Sequence, residues 1–200
     1  LPGDKVTVLD VSMDKNKDAL ENALAGGASV FYVDHHFSGD IPEHENLTTI
    51  INEAPDVCTA ALVNGYLKGR HLDWAVTGAF GDNLKDTART LASGLNISEH
   101  DLVSLEALGT YINYNGYGPA IEDLHFDPKD LYLKLYAADG PLDFVQNSAD
   151  FNKLSAGYGE DMAKAEALQP LHSNATSAVF ILPDETWARR VSGVYSNDLA

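Results

Sequence analysis

The first fifty residues contain three short apolar runs, separated by polar segments. Each run is rich in β-branched and aromatic residues and is bounded by turn-forming residues, which predicts buried strands. The runs lie at positions 6–9, 28–32 and 47–51. Between the first two, leucines and alanines recur at helical spacing and stop at Gly26-Gly27, which predicts a helix to about Ala25. A strand, a helix and a strand in this order predict parallel strands joined by a right-handed crossover.

Beyond residue 55 the pattern is mainly helical. Helices are predicted at about 55–69, 84–93, 98–114, from 127 onward, and 159–169, and a late strand at 177–182. Ser98 and Asp101 resemble a capping box at the start of the third of these helices. The segment 74–80 is apolar throughout and fits a buried helix or a strand, since its periodicity favours neither.

These elements predict the α/β class, with a parallel β-sheet flanked by helices and a helical C-terminal half. The polar stretch 171–174 precedes the late strand and fits a linker. We therefore expect one domain over 1–172, and a linker strand with the start of a second domain over 173–200.

Composition limits the functional classes. Apolar residues make up 44% of the 200 residues, which indicates a globular chain. The formal net charge is −17, from 13 basic and 30 acidic residues, and Arg189-Arg190 is the only basic pair. Because nucleic-acid binding needs lysines and arginines to replace counterions, extended binding by this segment is disfavoured. The acidity suits divalent cations, and it equally suits a solvated surface.

The remaining composition favours a cytoplasmic protein. Cys58 is the only cysteine, which excludes disulfide bonds within the chain and suits a reducing compartment. No apolar run approaches the ~18 residues of a membrane span, and no signal peptide is recognisable. The chain begins at Leu1 rather than Met, and we expect it to be part of a longer polypeptide at both ends.

Polar side chains follow the predicted strands where each one ends. Asp10 follows the first strand, and Asp34, His35 and His36 follow the second. Because parallel strands end at the same sheet edge, Asp10 and Asp34 are expected side by side. Asp82 follows the apolar segment 74–80. Carboxylate and imidazole ligands suit Mn²⁺ and other borderline divalent ions, and two such ions about 3.5–4 Å apart can flank a phosphoryl group.

Each of these residues also has an ordinary structural interpretation. Asp10 or Asp82 alone is more often a helix N-cap than a metal ligand. Asp-His pairs also occur in turns that have no chemical function, so the significance of the set depends on its members lying together.

Together these residues resemble the DHH phosphoesterase family. Val33-Asp34-His35-His36, preceded by Leu9-Asp10, carries the resemblance, and further stretches fit it at 55–60, 81–83, 183–187 and 191–193, with Asn197. The family includes RecJ-type exonucleases, oligoribonucleases, cyclic-dinucleotide phosphodiesterases, exopolyphosphatases and manganese-dependent inorganic pyrophosphatases.

The resemblance implies a Mn²⁺-dependent hydrolase that cleaves a phosphodiester or phosphoanhydride bond with a metal-activated hydroxide. It implies that Asp10 bridges two Mn²⁺ ions, with Mg²⁺ or Co²⁺ as alternatives, and that His35 and Asp82 bind one of them. It further implies that Asp34 supports the neighbouring imidazoles and that His36 faces the substrate phosphate. Short oligonucleotides, cyclic dinucleotides, nucleic-acid ends and polyphosphate all fit as substrates.

The sequence departs from the family pattern at two places, and the first of them, together with the acidity of the chain, supports an alternative. The family's first motif, an N-terminal strand ending in closely spaced aspartates, is missing from this sequence, and only the beginning of the associated C-terminal domain is present. The alternative is a non-catalytic DHH-type module that binds a nucleotide or a partner protein.

Several aromatic and histidine residues outside the motifs receive structural interpretations. Tyrosines 111, 114, 117, 132 and 136 lie at helical spacing among leucines, which favours core or rim packing over base stacking. His125 and His172 have no matched partners in the sequence and are expected on the surface.

Overall fold

The computed structural model describes residues 1–199 and divides them into two compact units. The first comprises residues 1–79 and 84–96, and the second comprises 80–83 and the residues from 97 onward. The predicted α/β class is confirmed, because the described residues contain a parallel sheet and nine α-helices.

The parallel sheet belongs to the first unit. Its strands are β1 (Lys5–Leu9), β2 (Ser29–Asp34) and β3 (Leu47–Ile51), and β2 lies between the other two. Both pairings are parallel, with Leu9 opposite Val33 and Asp34 opposite Ile51. The strand-helix-strand prediction is therefore confirmed.

Helix α1 (Lys17–Ala25) forms the crossover from β1 to β2, and one 3₁₀ turn at Asp14–Asn16 precedes it. Leu20 and Leu24 are on its buried face and pack with residues of β2 into the core of this unit. Helix α1 ends at Gly26-Gly27 as predicted, where Gly27 has a φ of +84°, a conformation that glycine adopts without strain.

Three further helices follow the sheet: α2 (Thr59–Tyr66), α3 (Leu72–Gly81) and α4 (Lys85–Ala92). The apolar segment 74–80, which the sequence left open between helix and strand, is helical. Gly78 of α3 lies so close to α2 that a Cβ built on it would be 2.5 Å from the Cβ of Ala60. Small residues at this position therefore allow the two helices to approach each other closely.

The second unit is helical, with α5 (Glu99–Tyr114), α6 (Pro128–Tyr136), α7 (Pro141–Asn147), α8 (Ala149–Glu166) and α9 (Thr186–Leu199). Ser98 and Asp101 form the predicted capping box of α5. Helix α8 starts at Ala149 rather than near Gly159, because Ser148 caps it by accepting from the Asp150 amide. The late strand is only Ala178–Val179 (β5), antiparallel to His172–Ser173 (β4).

Helices α7 and α9 were absent from the prediction. Helix α9 packs against α5 and α8, and its buried Trp187 and Val191 join Tyr114 and Met162 in the core of the second unit. The domain boundary predicted between residues 172 and 173 falls within this unit, and it stays a prediction.

A polar network is buried beside this core. The Arg190 guanidinium donates to the Asp161 carboxylate, with 2.8 Å between Nε and Oδ2, and the Tyr114 hydroxyl donates to the same carboxylate. The Nε2 of His125 lies 2.8 Å from the Tyr114 hydroxyl oxygen. The prediction that His125 lies on the surface is therefore wrong, whereas His172 is exposed as expected.

Burial changes the acidity of two members of this network. It raises the pKa of the Tyr114 hydroxyl, and the hydrogen bond to Asp161 acts in the same direction. Burial lowers the pKa of the His125 imidazole, and the nearby positive charge of Arg190 lowers it further.

The one basic pair of the sequence is engaged with carboxylates. Arg190 contacts Asp161, and Arg189 donates to both oxygens of Asp123, at 2.9 and 2.7 Å. Both guanidinium groups are thus paired with carboxylates of the same chain. This agrees with the sequence argument against extended nucleic-acid binding.

The tyrosine predictions have a mixed outcome. Tyr114 is fully buried in the core, as expected, whereas Tyr132 and Tyr136 are exposed on α6, where their rings stack at 5.9 Å. None of the helices described within residues 1–199 combines the length and apolarity that a membrane crossing requires.

Candidate metal centre

The carboxyl ends of β1 and β2 bring Asp10 next to Asp34. The Asp10 amide donates to the Val33 carbonyl at 3.1 Å, so the strand pairing continues one residue beyond Leu9 before the chain turns away. Asp34 is the last residue of β2 and is completely buried. The expectation that these two residues share one sheet edge is confirmed.

Asp10 is held in an unusual backbone conformation. Its φ is +61°, in the left-handed region that aspartate tolerates better than most residues other than glycine. The Thr59 hydroxyl donates to Asp10 Oδ1 at 2.9 Å. A turn after β1 and a hydroxyl at the start of α2 therefore orient a carboxylate whose side chain is about half exposed.

His35 is oriented by a backbone carbonyl. Its Nδ1 lies 2.7 Å from the Val57 carbonyl oxygen, and since a carbonyl only accepts, Nδ1 carries the proton. Its Nε2 lies 3.4 Å from Asp10 Oδ1. When the His35 ring is neutral, its Nε2 is an acceptor, and so is the Asp10 carboxylate oxygen. A cation between the two atoms, or a proton on Nε2, is therefore needed to make the contact favourable.

His36 is oriented by the buried carboxylate of Asp34. Its Nδ1 donates to Asp34 Oδ1 at 2.8 Å, which leaves Nε2 as the acceptor of the neutral ring. A carboxylate that holds the second nitrogen of an imidazole fixes the tautomer and ring orientation that metal binding requires. The other Asp34 oxygen, Oδ2, is buried and has no hydrogen-bond partner in the part of the chain that the structure describes.

Asp10, His35 and His36 form a three-residue group, called here the Asp-His-His cluster. One ligand atom from each lies within 4.8 Å of the others. The 3.4 Å between His35 Nε2 and Asp10 Oδ1 is close to the separation of two ligands bound tetrahedrally at about 2.1 Å to one ion. The donor set fits a borderline divalent cation such as Mn²⁺, and imidazole also suits Zn²⁺ and Fe²⁺.

Asp82 is not a member of the Asp-His-His cluster. It directly follows α3 and belongs to the second unit, whereas the other predicted site residues belong to the first. Its predicted role as a metal ligand stays a prediction.

Two contacts of the cluster were not identified from the sequence. The segment 55–60 was singled out only for its resemblance, but its Val57 carbonyl and Thr59 hydroxyl orient His35 and Asp10. Helix α2 begins at Thr59, later than the predicted start near Pro55. In its first turn the amides of Ala61 and Leu62 both bond to the Cys58 carbonyl, and the Val57 carbonyl is directed to His35. The only hint of the Thr59 contact in the sequence is a threonine near the start of a helix, and a threonine there is usually interpreted as a helix cap.

No protein-family model, no curated protein and no solved structure significantly matches the chain.

Proposed function

We propose that this chain is the metal-binding part of a DHH-type phosphoesterase, which hydrolyses a phosphodiester or phosphoanhydride bond with the help of Mn²⁺. The observation that carries the proposal is the pair of oriented imidazoles beside a carboxylate. Both Nδ1 atoms are bonded to protein oxygens, so both Nε2 atoms are acceptors in the neutral rings. Two imidazoles in this state, next to Asp10, form a ligand set and not a surface charge cluster.

The residues of the Asp-His-His cluster have different proposed roles. His35 and Asp10 would hold an ion between them, and Thr59 and Val57 keep them facing each other. His36 is more exposed than His35, and its Nδ1 is bonded to Asp34. Its Nε2 can therefore contact a substrate phosphate or the same ion. A bound Mn²⁺ supplies Lewis-acid chemistry, since it neutralises phosphate charge and lowers the pKa of a water ligand.

The resemblance also implies a ligand role for Asp82, and that role stays a prediction. Short oligonucleotides, cyclic dinucleotides, nucleic-acid ends and polyphosphate are the candidate substrates. The proposed location is the cytoplasm, which the single buried cysteine, Cys58, supports.

Calorimetric titration with Mn²⁺ tests the first step. We expect binding by the wild-type chain, and at least a hundredfold loss of affinity in His35→Ala and in Asp10→Asn, because each removes a ligand. His44→Ala is the matched control, since His44 is an exposed histidine of the same unit whose imidazole accepts from the nearby Asn46 amide. Mg²⁺, Zn²⁺ and Ca²⁺ titrated in parallel determine which ion the cluster prefers.

Hydrolysis is assayed on the same proteins. Mn²⁺-dependent release of phosphate or nucleotide that disappears in His35→Ala supports the enzyme. Mn²⁺ binding at the cluster without hydrolysis of any candidate substrate favours the non-catalytic binding module. Mn²⁺ affinity that is the same in the wild type and in both cluster variants would exclude the proposed site.

A further inference from the structure

An exposed aromatic ring directly follows the Asp-His-His cluster in the chain. Phe37 comes after His36 and is 67% exposed. Val11, which follows Asp10, and Ile41, in the same loop as Phe37, are also exposed. These three residues, called here the apolar rim, belong to the loops that carry the cluster. Exposed apolar side chains in the loops that carry ligands for a cation and a phosphate favour a binding partner that is part apolar and part charged.

The backbone on both sides of the Phe37 ring is anchored. The Ser12 hydroxyl donates to the Phe37 carbonyl at 3.3 Å, which connects the loop after β1 to the loop after β2. Glu53 Oε1 accepts from both the amide and the hydroxyl of Ser38, each at 2.9 Å. A ring presented on an anchored loop loses little conformational freedom when a ligand covers it, which favours binding.

We propose that Phe37 is a stacking platform for a nucleobase, and that the substrate is therefore a nucleotide phosphoester and not inorganic polyphosphate, an inference that rests on the proposed function. A nucleotide has an aromatic base one sugar away from its phosphate, and in this chain an exposed aromatic ring directly follows the last residue of the cluster. Polyphosphate is charged along its whole length and gains nothing from an apolar rim. Stacking of a base on an aromatic side chain is independent of base identity.

The charge of the chain limits the length of the nucleotide. A net charge of −17 repels a long polyanion at every phosphate, whereas a short nucleotide brings few charges and places them at the cation-binding cluster. The expected substrates are therefore mononucleotide esters and short oligonucleotides or dinucleotides.

The test compares two ligands with the same phosphate and sugar. AMP and ribose 5-phosphate are titrated into the chain in the presence of Mn²⁺ and followed by calorimetry. We expect AMP to bind about tenfold more tightly, the scale of one stacked base. In Phe37→Ala the two affinities become equal, and in Phe37→Trp the preference for AMP returns. Tyr136→Ala, which removes another exposed ring at 77% exposure, is the control and leaves the preference unchanged.

Each outcome separates the two proposals. If the wild type binds neither ligand, the phosphate site fails and the base platform with it. If it binds both with equal affinity, the phosphate site stands and the base platform is excluded. A preference for AMP that survives Phe37→Ala shows that another residue recognises the base, which also overturns the role of Phe37. Because Phe37 is exposed, its variants are expected to fold, and circular dichroism checks this.

Discussion

At the scale of single residues, the site depends on which atom of each side chain is already engaged. The imidazoles of His35 and His36 are both bonded through Nδ1, one to a carbonyl and one to a carboxylate. The side chain of Asp34 is held in place, because it is completely buried and its Oδ1 accepts from His36 Nδ1. A carboxylate at a buried position is costly unless it is paired, and the His36 imidazole is the partner that the structure gives to Asp34.

The charge of Asp34 is therefore expected to matter for metal affinity. Asp34→Asn keeps the shape and an oxygen that can accept from His36 Nδ1, but it removes the charge. We expect Mn²⁺ affinity to fall about 10- to 100-fold, which is the usual effect of a changed second-layer partner. Calorimetry on the same preparation measures the loss. Asp40→Asn, an exposed carboxylate in the same loop, is the control. Equal affinity in Asp34→Asn and the wild type would contradict the role assigned to Asp34.

At the scale of elements, helix α9 joins the second unit through polar contacts as well as apolar ones. Its apolar residues Trp187 and Val191 enter the core, and Arg190 on the same helix reaches the buried carboxylate of Asp161 on α8. Tyr114 from α5 donates to the same carboxylate. Three helices therefore meet at one negative charge, and a helix of moderate intrinsic propensity is held in place by tertiary contacts.

Removal of Arg190 is expected to destabilise this unit. Arg190→Met retains most of the aliphatic stem but leaves Asp161 buried without its main cationic partner, which costs about 3–5 kcal/mol. Urea unfolding followed by circular dichroism measures the change. Arg189→Met is the control, since Arg189 is more exposed, and we expect a smaller loss.

The double variant Arg190→Met with Asp161→Leu distinguishes charge from packing. When both charges are replaced by apolar groups, no buried unpaired charge remains, since Lys164, 3.9 Å from Asp161, is half exposed; much of the stability should therefore return. If the double variant is as unstable as Arg190→Met alone, lost packing and not the unpaired carboxylate explains the effect.

At the scale of the whole molecule, net charge and buried titratable groups determine the response to acid. The formal charge of −17 is far from zero, and protonation of surface carboxylates relieves repulsion as the pH falls. The partly buried His125 acts in the opposite direction. Burial and Arg190 hold its pKa below the ordinary value of 6.5, so the folded protein resists protonation of this imidazole.

Proton linkage determines how the contribution of His125 to the free energy of unfolding changes with pH. Below about pH 6.5 the unfolded chain binds a proton at this imidazole before the folded protein does, so the contribution of His125 to stability is complete above that pH. It is lost as the pH falls from 6.5 toward the lower pKa of the folded state. We expect His125→Gln to lose less stability than the wild type between about pH 7.5 and about pH 5.5.

Thermal unfolding at a series of pH values measures this difference. Repulsion between surface charges is the same in both proteins, so it cancels in the comparison. His172→Gln removes an exposed imidazole from the same unit and should follow the wild-type curve. Parallel curves for His125→Gln and the wild type would rule out a contribution from His125.

Local pattern was sufficient for the β1-α1-β2 arrangement and for the position of Asp10 beside Asp34. Apolar residues at strand and helix spacing define these elements, and the parallel pairing that a helical crossover implies then puts the ends of both strands at one edge. The capping box of α5 was equally readable, because its two residues are three positions apart and need no other part of the chain.

Contacts between distant parts of the chain decided the rest. Thr59 reaches Asp10 across 49 positions and Val57 reaches His35 across 22, and no spacing rule connects residues so far apart. His125 looked like a surface residue because its partner Tyr114 lies on another element and is itself held by Asp161, 47 positions further along the chain. Helix α9 buries its apolar face against α5 and α8, and tertiary packing of this kind supplies most of the stability of a protein helix. Periodicity records which face of an element is buried, whereas the partner of each polar group is determined only when the elements pack together.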